Sequence, residues 1–205
     1  MVNLNHLYVL HLPFTGIKKI DDVAEVRLNN LLIELKKKGI KDYSIIEGFY
    51  DAKNTKQAIH KGHRMIVELA KKNNMPFCIV AEDDIVFTHQ NSFNYFISQI
   101  PESYDIFSAL VYSATMEGDR IMNGGSGMTS LYIVNSRFYD FFLSMNIDNH
   151  VDRELAITAF KHEYYVCNPM VVIQRGGYSI QKRQILYYDE FLRDKKMYNS
   201  STQII

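Results

Sequence analysis

Glu82, Asp83 and Asp84 stand consecutively inside residues 79–87, IVAEDDIVF, with isoleucine, valine and phenylalanine flanking them on both sides. Those flanks have the composition of a buried strand, where unpaired carboxylates are costly. In a parallel α/β sheet, ligands bind at the carboxyl ends of the strands. The run predicts a strand body, CIV, with the acids at or just past its end. Extended backbone would aim Glu82 and Asp84 to one side and Asp83 to the other. Two carboxylates converging there repel unless a cation lies between them, and hard oxygen ligands favour Mg²⁺ or Mn²⁺ shared with a substrate diphosphate. The plainer alternative is acids that cap a turn or pair with surface lysines. The apolar run resuming at once as IVF argues against it.

Other polar residues carry weaker signals. His60 and His63 lie near one helix face, but a zinc pair there lacks further ligands nearby in sequence. NGGSG at 123–127 lacks the ending of a phosphate-binding P-loop and reads as a loop edging a donor or acceptor site, or as a plain turn. Asp152 opens the apolar segment ELAITAF, the position of an ordinary helix N-cap. QRGGYS at 174–179 offers Arg175 to a phosphate or to a solvent-exposed ion pair.

The elements that must position these residues alternate. LYVLHL at 7–12 predicts a strand stopped by Pro13 and Gly16. Residues 21–38 predict an amphipathic helix, with Asp21 or Asp22 at its start, Lys36 to Lys38 at its end and Gly39 closing it. A strand at 43–49 and a helix at 55–73 precede the acidic strand. Further helices are expected at 91–99, 137–145 and 151–162, with strands at 104–113 and 164–174. Residues from about 183 onward predict a surface helix and a frayed tail. This pattern predicts a single α/β domain over 1–205, with a mostly parallel central sheet flanked by helices.

Lys+Arg 23 balances Asp+Glu 23, which removes the electrostatic footprint of a nucleic-acid or anionic-membrane binder. Cys78 and Cys167 each sit in an apolar run and read as buried reduced thiols. No segment reaches the ~18 apolar residues of a membrane span, and residues 1–20 lack a signal-peptide pattern, so a cytoplasmic location is expected.

The strand ending in EDD, preceded by a GH at the start of KGHRMIVELAKKNN, resembles glycosyltransferase family 25, the lipooligosaccharide and procollagen galactosyltransferases. EVRLNNLLIELKKKGI at 25–40, YDIFSALVYS at 104–113, GMTSLYIVNSRFYDFFL at 127–143, HVDRELA at 150–156 and NPMVVIQRGGYS at 168–179 resemble further segments in the family's order. Gly62 stands where the family has a serine, and Arg153 stands where it has an aromatic residue.

The resemblance implies a GT-A fold and a metal-dependent transfer of a hexose from a nucleotide sugar to a saccharide hydroxyl, with inversion. UDP-galactose is the default donor and Mn²⁺ or Mg²⁺ the cofactor. It places Asp84 on the metal, with Glu82 helping. It puts Glu82, Asp83, Arg27, His63 and Gln174 near the nucleotide, and makes Asp152, then Glu154, the candidate base. His63 reads more readily as a packed core histidine hydrogen-bonded to backbone. A non-catalytic nucleotide-sugar- or glycan-binding module on the same fold is the alternative.

Overall fold

A computed structural model describes residues 5–124, 127–179, 184–187 and 197. The chain runs β1 (Leu7–His11), α1 (Lys18–Lys37), β2 (Tyr43–Glu47), α2 (Thr55–Lys72), β3 (Phe77–Glu82), β4 (Ile85–Phe87) and α3 (Ser92–Ser98). It continues through β5 (Ile106–Ser108), β6 (Ala114–Glu117), β7 (Arg120–Gly124), β8 (Leu131–Asn135), α4 (Tyr139–Ser144) and α5 (Val151–Thr158). It then forms β9 (Tyr164–Val166), β10 (Val172–Gln174), β11 (Gly177–Ser179) and β12 (Gln184–Leu186).

Among the described residues, the main sheet has eight strands in the order β2-β1-β3-β8-β5-β9-β7-β6. β8 and β7 run against the other six, so strand direction is mostly parallel although the ladders are mixed. Alternation along the strands feeds two cores. Ile79 and Ala81 of β3 and Leu131 and Ile133 of β8 pack on one face with Leu31 and Leu35 of α1. Cys78, Val80, Tyr132 and Val134 pack on the other with Ile66, Val67 and Ala70 of α2. Both faces are therefore covered, as a parallel sheet requires. Cys78 and Cys167 are buried free thiols, as their apolar settings imply.

Several elements differ from the sequence expectation. The acidic run does not stay extended: β3 ends at Glu82, Asp83 and Asp84 turn, and β4 leaves the sheet to pair with β10. Glu82 and Asp84 therefore do not share a face by strand alternation. The expected strand at 104–113 is three residues long, and a hairpin of β6 and β7 follows it, turning at Gly118 with φ +60°. The expected strand at 164–174 breaks into β9 and β10 around Pro169. Residues 184–186 form a strand with β11 rather than the start of a helix. The rest of the expected tail, and Gly125 and Ser126 of the glycine-rich loop, lie outside the described residues. No helix among the described residues is long and apolar enough to cross a membrane.

Candidate functional site

Strand register determines which residues meet. β1 and β3 are parallel with Leu10 opposite Glu82, so both chains leave the sheet at the same edge, with His11 one step on, beside Asp83. β8 is antiparallel to β3 and begins at that edge, and Glu82 N–H donates to Ser130 O at 2.9 Å. The turn at 127–130 therefore abuts the acids. β10 runs antiparallel to β4 with Gln174 opposite Ile85, and Arg175 N–H donates to Asp84 O at 2.6 Å. A cleft of about 580 Å³ opens here, and all three acids, Arg27, Gln174 and Asp152 line it. Pro13, Phe49 and Tyr50, at the ends of β1 and β2, extend its wall.

The three acids have three environments. Asp83 is enclosed: Arg27 Nη1 donates to Oδ1 at 2.8 Å, while His11 Nδ1 (2.8 Å) and Leu12 N–H (3.0 Å) reach Oδ2. Burial pushes its pKa up, but the Arg27 charge and these hydrogen bonds more than reverse that and hold it below the usual carboxylate range. Glu82 also has partners on both oxygens. Thr129 Oγ1 donates to Oε1 at 3.0 Å and Gln174 Nε2 to Oε2 at 3.3 Å. His63 Nε2 lies 3.3 Å from Oε1, near enough for charge attraction but out of line for a hydrogen bond.

Asp84 differs. Its Oδ1 is buried without a hydrogen-bond partner, and its Oδ2 is 3.6 Å from Arg27 Nη2. Burial raises its pKa to about 7; the Arg27 charge opposes this and the charges of Glu82 and Asp83 add to it. The Arg27 charge thus offsets only part of the cost of burying this carboxyl.

Among the described residues, no group of three or more His, Cys, Asp or Glu side chains could hold a metal by itself. The donor set fits a cation only as Mg²⁺ and Mn²⁺ are often held, by one carboxylate plus oxygens of a bound phosphate and water. Asp84 is the acid with an oxygen to give. Both oxygens of Glu82, in contrast, have polar neighbours.

Asp152, in the first turn of α5, faces two main-chain N–H donors and the Thr129 hydroxyl, whose single proton goes either to it or to Glu82. Gly127 N–H reaches Oδ2 at 3.1 Å, and Thr129 N–H (3.2 Å) and Oγ1 (3.0 Å) reach Oδ1. Burial, and after it the Glu82 charge, raises its pKa. Gly127 has φ +74°, and a Cβ there would stand 2.6 Å from the Tyr112 ring, so a glycine is required where this N–H turns toward Asp152. Asp152 is no helix cap: the cap residue is His150, and the Asp152 side chain bonds to the neighbouring turn.

Glu154 is elsewhere. It does not line the cleft, and its carboxylate accepts from Asn146 N–H at 3.1 Å and Asn149 Nδ2 at 2.6 Å, which secures the loop before α5. The helix rotation of two residues between 152 and 154 points them in different directions. His63 is fully buried, and its Nδ1 pairs with Tyr132 Oη at 2.9 Å, so it is a core histidine that also approaches Glu82. His60 bonds instead to Asn149 O at 3.0 Å.

Sequence reasoning missed His11 and Thr129. His11 ends a strand parallel to the acidic one, which was the available signal. Thr129 lies in the GMTS turn just before a strand, where nothing local distinguishes it from a loop residue.

No protein-family model matches the chain, and no curated protein does. Solved structures do resemble it. A197 from STIV is 12% identical, with 98% of each chain covered and a TM-score of 0.50. A glycosyltransferase involved in the glycosylation of the major capsid of PBCV-1 is 13% identical, with 97% of this chain and 94% of that chain covered and a TM-score of 0.49. A mutant Drosophila β1,4-galactosyltransferase 7, in complex with manganese, UDP-Gal and xylobiose, is 10% identical, with 95% and 82% covered and a TM-score of 0.48. At such identities the likeness concerns the fold.

Proposed function

We propose that this chain is a glycosyltransferase of the GT-A type, moving a hexose from a nucleoside-diphosphate sugar to a saccharide hydroxyl with inversion, and that UDP-galactose is its donor. The observation carrying this reading is Asp84, a buried carboxyl with an unpartnered oxygen at the strand-end edge of the cleft. Such a group suits a divalent cation that arrives with a diphosphate.

When bound, Mn²⁺ or Mg²⁺ would neutralise charge gathering on the departing diphosphate. Asp84 is the residue that would hold it. Arg27 and His11 hold Asp83 and so fix the turn that presents Asp84. Asp152 accepts the proton of the acceptor hydroxyl as that oxygen attacks the sugar carbon. Its raised pKa brings it nearer to neutral pH, where a general base works best. Phe49 and Tyr50 offer apolar wall to a base or sugar ring.

The test is thermal stabilisation by UDP with Mn²⁺, in the wild type and in Asp84→Ala, with hexose release from UDP-galactose measured alongside. A shift needing both UDP and Mn²⁺, lost in Asp84→Ala, is expected. A wild type without that shift sinks the reading. A shift without hexose release identifies a binding module instead.

A further inference from the structure

We propose that Thr129 is the positioning residue for Asp152, and that Glu82 serves this same arrangement rather than the cation. The inference rests on the reading of Asp152 as the base. Three observations converge on it.

First, Thr129 supplies two of the three donors on Asp152, its main-chain N–H and its hydroxyl, both on Oδ1. The third, Gly127 N–H, holds Oδ2. The carboxylate is thus gripped on both oxygens by one short turn, and Thr129 alone contributes a side chain. Thr129 is 2% exposed, so its hydroxyl cannot turn to bulk water.

Second, that hydroxyl stands 3.0 Å from Asp152 Oδ1 and 3.0 Å from Glu82 Oε1. A hydroxyl has one proton to donate. Lying between two carboxylates, it is what keeps them from facing each other bare, an arrangement that like charge makes costly. Replacing the hydroxyl with a methyl would leave the two acids facing across an apolar group.

Third, Glu82 has compensating partners. Gln174 Nε2 donates to its other oxygen, and His63 Nε2 approaches from the buried side, with His63 itself anchored on Tyr132. When the Thr129 proton points to Asp152, Glu82 keeps the Gln174 bond on Oε2, and Oε1 has His63 Nε2 at 3.3 Å beside it. Glu82 forms a fixed wall behind the hydroxyl, which aims Asp152 into the cleft. Asp84 is the residue left for a cation.

Errors in placing a reacting group of about 1 Å can cost about 100-fold in rate. The expected outcome for Thr129→Val, which keeps the side-chain shape, is a fall of about tenfold or more in kcat for UDP-galactose turnover. KM for the donor and the UDP-and-Mn²⁺ stabilisation should remain as in the wild type. Thr129→Ser, which restores the hydroxyl, should recover kcat to within about threefold. Glu82→Gln, read by thermal shift alone, should keep the Mn²⁺-dependent part of the stabilisation.

Wild-type kcat in Thr129→Val overturns the proposal. So does a serine variant as slow as the valine one, or a valine variant that loses nucleotide stabilisation together with turnover. Loss of the Mn²⁺-dependent shift in Glu82→Gln overturns the assignment of Glu82, whether or not the valine variant folds. A wild type that releases no hexose removes the functional reading itself, and Thr129's role with it, and is recognisable because it precedes any variant.

Discussion

Arg27 and Asp83 meet in the wall of the cleft, guanidinium to carboxylate at 2.8 Å, joining the middle of α1 to the turn that follows β3. The Asp83 side chain is 3% exposed and that of Arg27 28%, so the pair is largely withdrawn from water. Breaking such a pair from one side strands the other charge. The bond therefore has two effects: it offsets the burial of Asp83, and it anchors the backbone that presents Asp84.

Removing the cation should be costly. Arg27→Met leaves Asp83 buried with His11 and a main-chain N–H, and should lower unfolding free energy by about 3 kcal/mol in urea titrations. Asp83→Asn in the Arg27→Met background should recover part of that loss. Additive losses in the double variant would show that the two side chains do not interact.

Asp84 sets a pH dependence. It ionises at about 3.9 in an unfolded chain and at about 7 in the folded one. Between those values the folded state holds the extra proton, so Asp84's contribution is complete below about pH 4 and is lost as pH rises through 7. Asp84→Asn should therefore stabilise the ligand-free protein at pH 8, by about 1–3 kcal/mol, and change it little at pH 4. Stabilisation by UDP with Mn²⁺ should move oppositely in the wild type, growing as pH climbs past 7, because the cation needs the ionised carboxylate. Melting curves at three pH values, with and without ligand, check both slopes.

Gly62 is held small by packing. A Cβ there would stand 2.6 Å from Leu10 Cδ1 and 2.9 Å from Cδ2. Leu10 lies in the core between β1 and α2, so a serine at 62 cannot be seated without moving it. Gly62→Ala gains about 1 kcal/mol of helix propensity but should lose about 1–3 to overpacking. In a Leu10→Ala background the overpacking term disappears, and the same substitution should become stabilising. Equal effects in the two backgrounds would refute this account.

Glu154 should be structural. Its two bonds to Asn146 and Asn149 secure the loop that leads into α5. Glu154→Ala should cost about 2 kcal/mol by removing two hydrogen bonds made by a buried carboxylate. Hexose release per folded molecule should stay within about twofold of wild type. A fall of several orders of magnitude would return Glu154 to the chemistry.

The layers of the fold were legible because the signals behind them are local. Apolar periodicity in α1 and α2 and the aliphatic run of β3 each reflect burial that a single segment cannot hide. The acids were legible as a candidate site because carboxylates inside such a run have few structural uses, and all three line the cleft. The division of labour among them was not. It depends on β8 running antiparallel to β3, which brings Thr129 to Glu82, and on β10 leaving the main sheet for β4, which brings Gln174 and Arg175 to the turn. Sequence periodicity is silent about both. The turn at Asp83 and Asp84 escaped for a related reason: β4 looks like a continuation of β3 until its ladder partner is known.

That partnership also sets a timetable. β4 leaves the ribosome well before β10, and Arg175, whose N–H closes on Asp84 O at 2.6 Å, is later still. Asp152 and Thr129 also follow the acids in the chain. A nascent chain carrying the three acids thus already has Arg27 and His11 for Asp83, while the hydrogen-bond donors to Glu82, from Thr129 and Gln174, come later. Pairings between segments so far apart in sequence carry a loop-closure cost that slows folding in general. A ligand of the finished cleft would bind only chains whose two halves have joined, and its stabilisation would be felt across the whole fold rather than at one turn.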